Sequence, residues 1–284
     1  MFEDISKVLL ITDMDGTFLP ASKIPSRENL AAVERLMSAG GKFSIATGRS
    51  LQASKRYFEQ VNVNCPIIMC NGGMVYDLHG RKQIYDVYLP ESAKEFVRRV
   101  LEANPDAGCE CLPIEGVYVP QMTDMERAHC EICRVTPVEC GLDEIPPNWY
   151  KALFAMKEER LHEVIEFAES ISGDYPDVDL VVSAPIYYEM LPKNISKGTG
   201  LKELVKACGM EDHTIVAAGD YNNDIEMLEA ADVGICPSNA ADDVKRIADV
   251  VLDVSCEESA IAAAVDYIFE RVGKRGVNEW QRYL

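Results

Sequence analysis

Two acidic clusters follow short apolar stretches, one near each end of the 284-residue chain. The first, DMDGT, holds Asp13 and Asp15, and the second, GDYNND, holds Asp220 and Asp224. Carboxylates this close together are costly unless a cation lies between them, and Mg²⁺ prefers such oxygen ligands. A plain turn is the alternative explanation for DMDGT, and a helix N-cap explains one acid of GDYNND. Together the two clusters indicate a candidate Mg²⁺ site.

Two further polar clusters have the composition of a phosphate site. The TGR motif offers Thr47 and Gly48, and a hydroxyl beside backbone N–H groups at a helix start can bind phosphate oxygens. The SKG motif places Lys197 at the start of another helical pattern. Each motif alone has an ordinary explanation, because strand–Thr–Gly–helix junctions are common and a single surface lysine is usually solvated.

The elements around these motifs alternate in the way that a doubly wound α/β fold requires. Strands predicted at residues 8–12, 42–46 and 66–70 are separated by helical patterns at residues 26–39 and 51–60. Such parallel sheets bind ligands beyond the carboxyl ends of their strands. DMDGT, TGR and the NGG loop that begins with Asn71 and Gly72 all fall at those ends.

The α/β pattern is interrupted in the middle of the chain and returns near its end. Residues 82–191 mix strand and helix signals, and after Lys197 helices again alternate with strands, including one at residues 214–218 just before GDYNND. We therefore predict a core formed by residues 1–81 and 192–284, with residues 82–191 inserted as a smaller α+β domain.

Composition and charge exclude several classes of function. The chain has 28 Lys and Arg against 47 Asp and Glu, a net charge of −19, so nucleic acid and anionic membrane surfaces are unexpected partners. No apolar run approaches the roughly 20 residues needed to span a bilayer. No secretory signal is recognisable, so we expect a cytoplasmic protein with reduced thiols. The oligomeric state is not predicted.

Cysteines in the inserted region offer a second candidate metal site. Cys109 and Cys111 form a CxC pair, and Cys130 and Cys133 form a CxxC pair. Four thiols could hold zinc, but CxC fits the usual zinc spacing poorly, so reduced thiols are the prediction.

In their order and placement, the four motifs resemble those of the haloacid dehalogenase (HAD) superfamily, and most closely its Cof-type hydrolases. DMDGT, TGR, SKG and GDYNND match its four motifs, and the NGG loop is shared with the Cof type. Tyr221 stands where these hydrolases often have Gly. Only nine residues separate Thr17 from Arg27, so no cap domain fits after the first motif. The insert therefore lies where the superfamily carries a C2-type cap, here similar to the Cof-like C2B subtype.

The resemblance implies roles for the acidic residues and the lysine. Asp13 would be the nucleophile, and Asp15 would be the general acid and then the general base. Mg²⁺ would be held by Asp13, by the backbone carbonyl of Asp15 and by Asp220, with Asp224 supporting the metal's ligands. Lys197 would pair with the nucleophile and the phosphate.

The same resemblance implies a phosphate pocket made of small and amide side chains. Its members would be Thr47, Gly48, Asn71, Gly72 and Asn223.

The expected function is a Mg²⁺-dependent phosphatase that hydrolyses small phosphorylated metabolites, a sugar phosphate or a similar phosphomonoester, through an aspartyl-phosphate. A phosphosugar mutase of the phosphomannomutase type is the alternative, since it shares this core and a similar cap. A regulator without enzymatic activity is a third possibility, but such a protein needs no general acid at Asp15.

Overall fold

Two β-sheets organise residues 4–272, which are the residues that this computed structural model describes. The part of the predicted core that follows residue 272 lies outside them. The strands are β1 Val8–Asp13, β2 Lys42–Ala46, β3 Ile67–Met69, β4 Met74–Asp77, β5 Lys82–Asp86, β6 Gly108–Cys111, β7 Tyr118–Gln121, β8 Val138–Glu139, β9 Ala152–Ala155, β10 Val178–Ala184, β11 Tyr187–Pro192, β12 Thr214–Ala218, β13 Val233–Cys236 and β14 Val250–Val251. The helices are α1 Arg27–Ser38, α2 Leu51–Phe58, α3 Ala93–Ala103, α4 Asp124–Cys133, α5 Leu161–Ser172, α6 Lys197–Cys208, α7 Ile225–Ala230, α8 Asp242–Ile247 and α9 Ala260–Arg271.

The larger sheet has the order β14-β13-β12-β1-β2-β3-β4-β5, and its strands from β14 to β3 are parallel. Strand β1, VLLITD, is buried along its whole length, as expected for a central parallel strand. Its side chains alternate between two hydrophobic clusters: Val8 and Leu10 pack with α1 and α9, whereas Leu9 and Ile11 pack with α6 and α7. Helices therefore cover both faces, and the predicted doubly wound α/β fold is confirmed.

One edge of this sheet differs from a purely parallel arrangement. Strands β3, β4 and β5 pair antiparallel, so β4 and β5 extend the core sheet as a hairpin. The residues of β5, Lys82–Asp86, were expected in the insert, which was predicted to begin at residue 82. They pair instead with the core because the connection of 78–81 is short enough for a hairpin, and the chain leaves this sheet only after Asp86.

The smaller sheet has the order β10-β11-β9-β6-β7-β8 and is mixed, with one parallel pair, β7 and β8, among antiparallel neighbours. Helices α3 and α5 pack on it through a separate hydrophobic cluster that includes Phe96, Val164 and Phe154. We call this unit the cap sheet. That it folds as an independent domain stays a prediction.

The chain enters the cap-sheet region through residues 87–92 and returns through residues 193–196, directly before α6. No helix among residues 4–272 is long and apolar enough to cross a membrane.

Candidate active site

The carboxyl ends of four core strands bring the sequence motifs together. Asp13 is the last residue of β1, Thr47 follows β2, Asn71 lies just after β3, and Asp220 follows β12. Because β12, β1, β2 and β3 are neighbours in one parallel sheet, these ends share one edge. The predicted meeting of the motifs at one edge is therefore what the structure shows.

Lys197 lies between two of the acidic residues and is 0% exposed. Its Nζ is 2.5 Å from Asp13 Oδ1 and 2.5 Å from Asp224 Oδ1. Ser196 caps α6 by accepting a hydrogen bond from the Thr199 N–H, which places Lys197 as the first helical residue. Burial alone would lower the pKa of Lys197, but Asp13 and Asp224 raise it, so the ammonium stays charged.

Asp220 and Asp224 are held by hydrogen bonds within and beyond their loop. Thr17 Oγ1 donates to Asp220 Oδ1 at 2.7 Å. Asp224 Oδ2 accepts from the backbone N–H groups of Asp220 and Tyr221 at 2.9 and 3.1 Å. Both oxygens of Asp224 therefore have partners, which suits the supporting role that the sequence suggested for it.

The donor set fits a hard divalent cation. Carboxylate oxygens of Asp13, Asp220 and Asp224 all lie within 4.8 Å of one another. Burial first, and then the neighbouring carboxylates, raise the pKa of Asp13 well above its usual range, although Lys197 opposes this. Burial and Asp224 likewise raise the pKa of Asp220 to about 7. This repulsion indicates that one lysine does not neutralise the cluster, and a Mg²⁺ ion, held by Asp13 and Asp220, would do so.

Asp15 has a contrasting environment. Arg49 binds both of its oxygens, through Nε at 2.6 Å and Nη2 at 2.7 Å, and Lys23 Nζ contacts Oδ1 at 2.7 Å. Burial would raise the pKa of Asp15, but these two cations outweigh burial and lower it. No role was predicted for Arg49 or Lys23 individually, although Arg49 belongs to the TGR motif. The sequence feature that could have indicated a role for Arg49 is its position directly after Thr47 and Gly48, the predicted phosphate-binding residues.

The predicted phosphate-pocket residues divide into two groups. Thr47, Gly48 and Asn223 line the cavity over Asp13. Both polar atoms of the Asn71 side chain make hydrogen bonds. Its Oδ1 accepts one from Asn223 Nδ2 at 3.1 Å, and its Nδ2 donates one to Glu189 at 2.5 Å. Gly72, with φ +103°, leaves no room for a Cβ against the Ser196 carbonyl. The contacts of Asn71 and Gly72 position their neighbours, and their binding of phosphate stays a prediction.

The cap sheet supplies the opposite wall of this cavity, which has a volume of about 330 Å³. Glu189 on β11 accepts from Lys151 at 2.9 Å and from Ser183 at 2.8 Å, in addition to Asn71 of the core. Glu110 and His129 line the same wall, 3.4 Å apart. Its charged side chains pair acids with cations, and apolar side chains such as Leu153 line the cavity beside them.

None of these cap residues was predicted from the sequence. They come from separate strands and from α4, so no short motif joins them, and Lys151 and Glu189 each read as an ordinary charge in a strand pattern. The charge alternating with apolar residues in YKALF and YYEML was the only available signal.

Comparison with known proteins gives a consistent result. A family model for haloacid dehalogenase-like hydrolases matches residues 10–265. Phosphoglycolate phosphatase of Methanopyrus kandleri is 27% identical over 93% of this chain and 98% of that protein. A 5-amino-6-(5-phospho-D-ribitylamino)uracil phosphatase of Bacillus subtilis is 25% identical over 85% of this chain and 90% of that protein. The fold is similar to that of the HAD subclass IIB sugar phosphatase BT4131, with a TM-score of 0.79 at 22% identity over 92% of this chain and 98% of that one.

Proposed function

The chain belongs to the haloacid dehalogenase-like hydrolases, and from this premise we propose that it is a Mg²⁺-dependent phosphatase of small phosphorylated metabolites. Asp13 would carry the phosphoryl group between the substrate and water. The observation that carries this proposal is the fully buried Lys197, held between Asp13 and Asp224, two acids that line a cavity covered by the cap sheet.

The first half of the reaction transfers the phosphoryl group to the enzyme. An oxygen of Asp13 attacks phosphorus, the ester P–O bond breaks, and the leaving oxygen takes a proton from Asp15. Lys197 binds Asp13 at 2.5 Å and so fixes the direction of the attacking carboxylate. Backbone and side-chain donors of Thr47, Gly48 and Asn223 would receive the phosphate oxygens at the cavity floor.

The second half releases phosphate. Asp15, now ionised, accepts a proton from water, and the water oxygen attacks phosphorus while the bond to Asp13 breaks. The pairing of Asp15 with Arg49 and Lys23 favours the ionised form that this half needs. Bound Mg²⁺ would offset the repulsion between the Asp13 carboxylate and the phosphate dianion.

The cap wall supports a polar leaving group. Hydrogen-bond donors and acceptors of the cap wall lie across the cavity from the DMDGT loop. They belong to Lys151, Ser183, Glu189, Glu110 and His129. Hydroxyl groups pair well with such a balanced wall because they both donate and accept. A sugar phosphate or a similar phosphomonoester is therefore the substrate class that we propose.

The proposal is tested by phosphate release from a panel of phosphorylated metabolites, with Mg²⁺ and again with excess chelator. We expect turnover of at least one small phosphomonoester with Mg²⁺ and none with the chelator, because Asp13 and Asp220 then lack their shared cation. Asp13→Asn is the matched control and should release no phosphate. Full activity in chelator would overturn the metal assignment.

The panel includes sugar monophosphates with and without a sugar bisphosphate activator. Phosphate release without activator supports the hydrolase. Isomeric sugar phosphate that forms only with the activator, without free phosphate, would show a mutase instead.

A further inference from the structure

A second group of ligand-type side chains lies in the cap sheet region; it contains none of the proposed catalytic residues and shares only Glu110 with the cap wall. Glu110 is on β6, and Glu126 and Cys130 are one turn apart on α4. One carboxylate oxygen of each glutamate and the Cys130 sulfur all lie within 4.8 Å of one another, and all three residues are buried. We call these three residues the cap cluster.

The separations within the cap cluster, all within 4.8 Å, are compatible with ligands on one metal ion. The Cys130 thiol donates a hydrogen bond to Glu126 Oε1, with the two atoms 3.5 Å apart, and metal binding would replace this bond. With Zn–S of about 2.3 Å and Zn–O of about 2.0 Å, two ligands at the tetrahedral angle lie about 3.5 Å apart. His129 Nε2 is 3.4 Å from Glu110 Oε1 and holds that carboxylate in its orientation. The side chains are thus arranged around a common centre.

One atom of the cap cluster indicates a missing partner independently of these separations. Glu126 is 0% exposed, and its Oε2 is a buried polar atom without a hydrogen-bond partner among the residues that the structure describes. Buried carboxylate oxygens are normally paired, because an unpaired one has lost its water without replacement. A cation in the cap cluster would supply that partner.

We propose that Glu110, Glu126 and Cys130 bind a zinc ion that ties α4 to β6 behind the cap wall of the cavity. A thiolate donor favours zinc over the hard Mg²⁺ expected at the all-oxygen core site. Three protein ligands leave a fourth position open. Binding releases the Cys130 thiol proton to solvent, since the thiolate is the ligand.

This site differs from the four-thiol site that the sequence suggested. Cys109, Cys111, Cys130 and Cys133 do not form one ligand group among residues 4–272, and all ten cysteines are free thiols. The CxC pair lies on a strand, whose alternate side chains share a face, and Glu110 between them points to the other face, where Cys130 lies.

The test uses the full chain, stripped of metal, with excess Mg²⁺ present to occupy the core site. Co²⁺ serves as a spectroscopic probe, and Zn²⁺ is then added to displace it. We expect one Co²⁺ per chain with an intense near-ultraviolet thiolate-to-cobalt band that Zn²⁺ removes. Cys130→Ser should lose this band, whereas Cys133→Ser, three residues further along the same helix, should keep it.

A wild-type protein without the thiolate band, or a band that survives in Cys130→Ser, would overturn the proposal. Glu126→Gln keeps the size of the side chain and tests the site if the cysteine variant does not fold. We expect it to weaken Zn²⁺ binding by at least about tenfold, measured by competition with a coloured chelator. Unchanged affinity in folded Glu126→Gln would equally exclude the cap cluster.

Discussion

Two aspartates in one five-residue loop have opposite electrostatic environments. Burial and the neighbouring acids raise the pKa of Asp13 against the opposing effect of Lys197, whereas Arg49 and Lys23 lower the pKa of Asp15. When the pKa values of two neighbouring carboxyl groups are pushed apart in this way, the two groups commonly have different roles in catalysis. For Asp15 to donate a proton first, the entering phosphate would have to draw away Arg49, which lines the same cavity.

Substitution should separate the two tasks. Asp13→Asn removes the nucleophile, so no phosphoryl-enzyme forms. Asp15→Asn removes only proton transfer, a contribution of about 10²–10⁴ in rate, so an ester with a good leaving group should still phosphorylate Asp13. Hydrolysis of that intermediate should then be slow, because no base activates water. Intact-mass measurement after brief reaction should show added phosphate on Asp15→Asn alone. Phosphate on Asp13→Asn would identify a different nucleophile.

Gly72 is the backbone position on which the placement of Lys197 depends. It has φ +103°, and a Cβ there would clash with the Ser196 carbonyl at the start of α6. Gly72→Ala should cost about 1–2 kcal/mol for the positive φ and about 1–3 kcal/mol for overpacking, and it should also lower activity by moving Lys197.

Gly173→Ala is the control for this substitution. Gly173 follows α5 with φ −59°, and a Cβ there meets nothing within 4 Å. We expect its stability to be unchanged or raised by about 0.4–1 kcal/mol. The free energy of unfolding of each variant is measured by denaturant titration. Equal values for Gly72→Ala and Gly173→Ala would contradict the steric explanation.

At the scale of elements, the core could be predicted because each strand was a short apolar run followed by a polar motif. The predicted strand at residues 8–12 is β1, and that at residues 214–218 is β12. The hairpin of β4 and β5 was not predicted, because an edge strand such as KQIYD is mostly exposed or half-buried and lacks a continuous apolar run. Strand β6, GCEC, was missed for a similar reason: its short pattern places a buried acid between two thiols.

The core part of the site could be predicted for the same reason, since DMDGT, TGR and GDYNND lie at the ends of their strands and SKG begins helix α6. The cap wall could not be predicted in this way, because it depends on strand pairings such as that of β11 with β9. This pairing places Glu189 opposite Leu153, two residues after Lys151. Such pairings join residues far apart in the chain and leave no local spacing.

A buried ion pair joins β11 to the residue that precedes β9, and its carboxylate also contacts the core. Lys151 and Glu189 are 2.9 Å apart, and Glu189 also accepts from Asn71. Lys151→Met leaves a buried carboxylate without its cation and should destabilise the protein by about 3–5 kcal/mol. Adding Glu189→Gln to Lys151→Met should recover part of this loss, because the unpaired charge is gone.

The exposed pair of Lys193 and Asp179 is the matched control, with an N–O separation of 2.5 Å. Lys193→Met should cost no more than about 1 kcal/mol, since water screens this pair. Denaturant unfolding compares the variants. A similar loss in Lys151→Met and Lys193→Met would show that burial does not strengthen the inner pair.

At the scale of the molecule, two hydrophobic clusters line the faces of the core sheet, and a third belongs to the cap sheet. If the cap sheet selects substrates, a variant that joins residue 87 to residue 193 by a short linker should retain activity on small activated esters. It should lose the ranking among natural phosphomonoesters, because the polar wall is gone. Initial rates over the substrate panel measure this. A folded variant with an unchanged ranking would show that the cap sheet does not choose the substrate.

The free thiols allow the opening rates of the core sheet and of the cap sheet to be measured separately. Cys70 and Cys236 are buried in the core, Cys109 and Cys111 are buried in the cap sheet, and Cys140 and Cys208 are partly exposed. An alkylating reagent should therefore label the last two quickly and the others only as fast as their surroundings open. Peptide mass spectrometry would resolve the two slow rates, and their ratio measures whether the cap opens alone or together with the core.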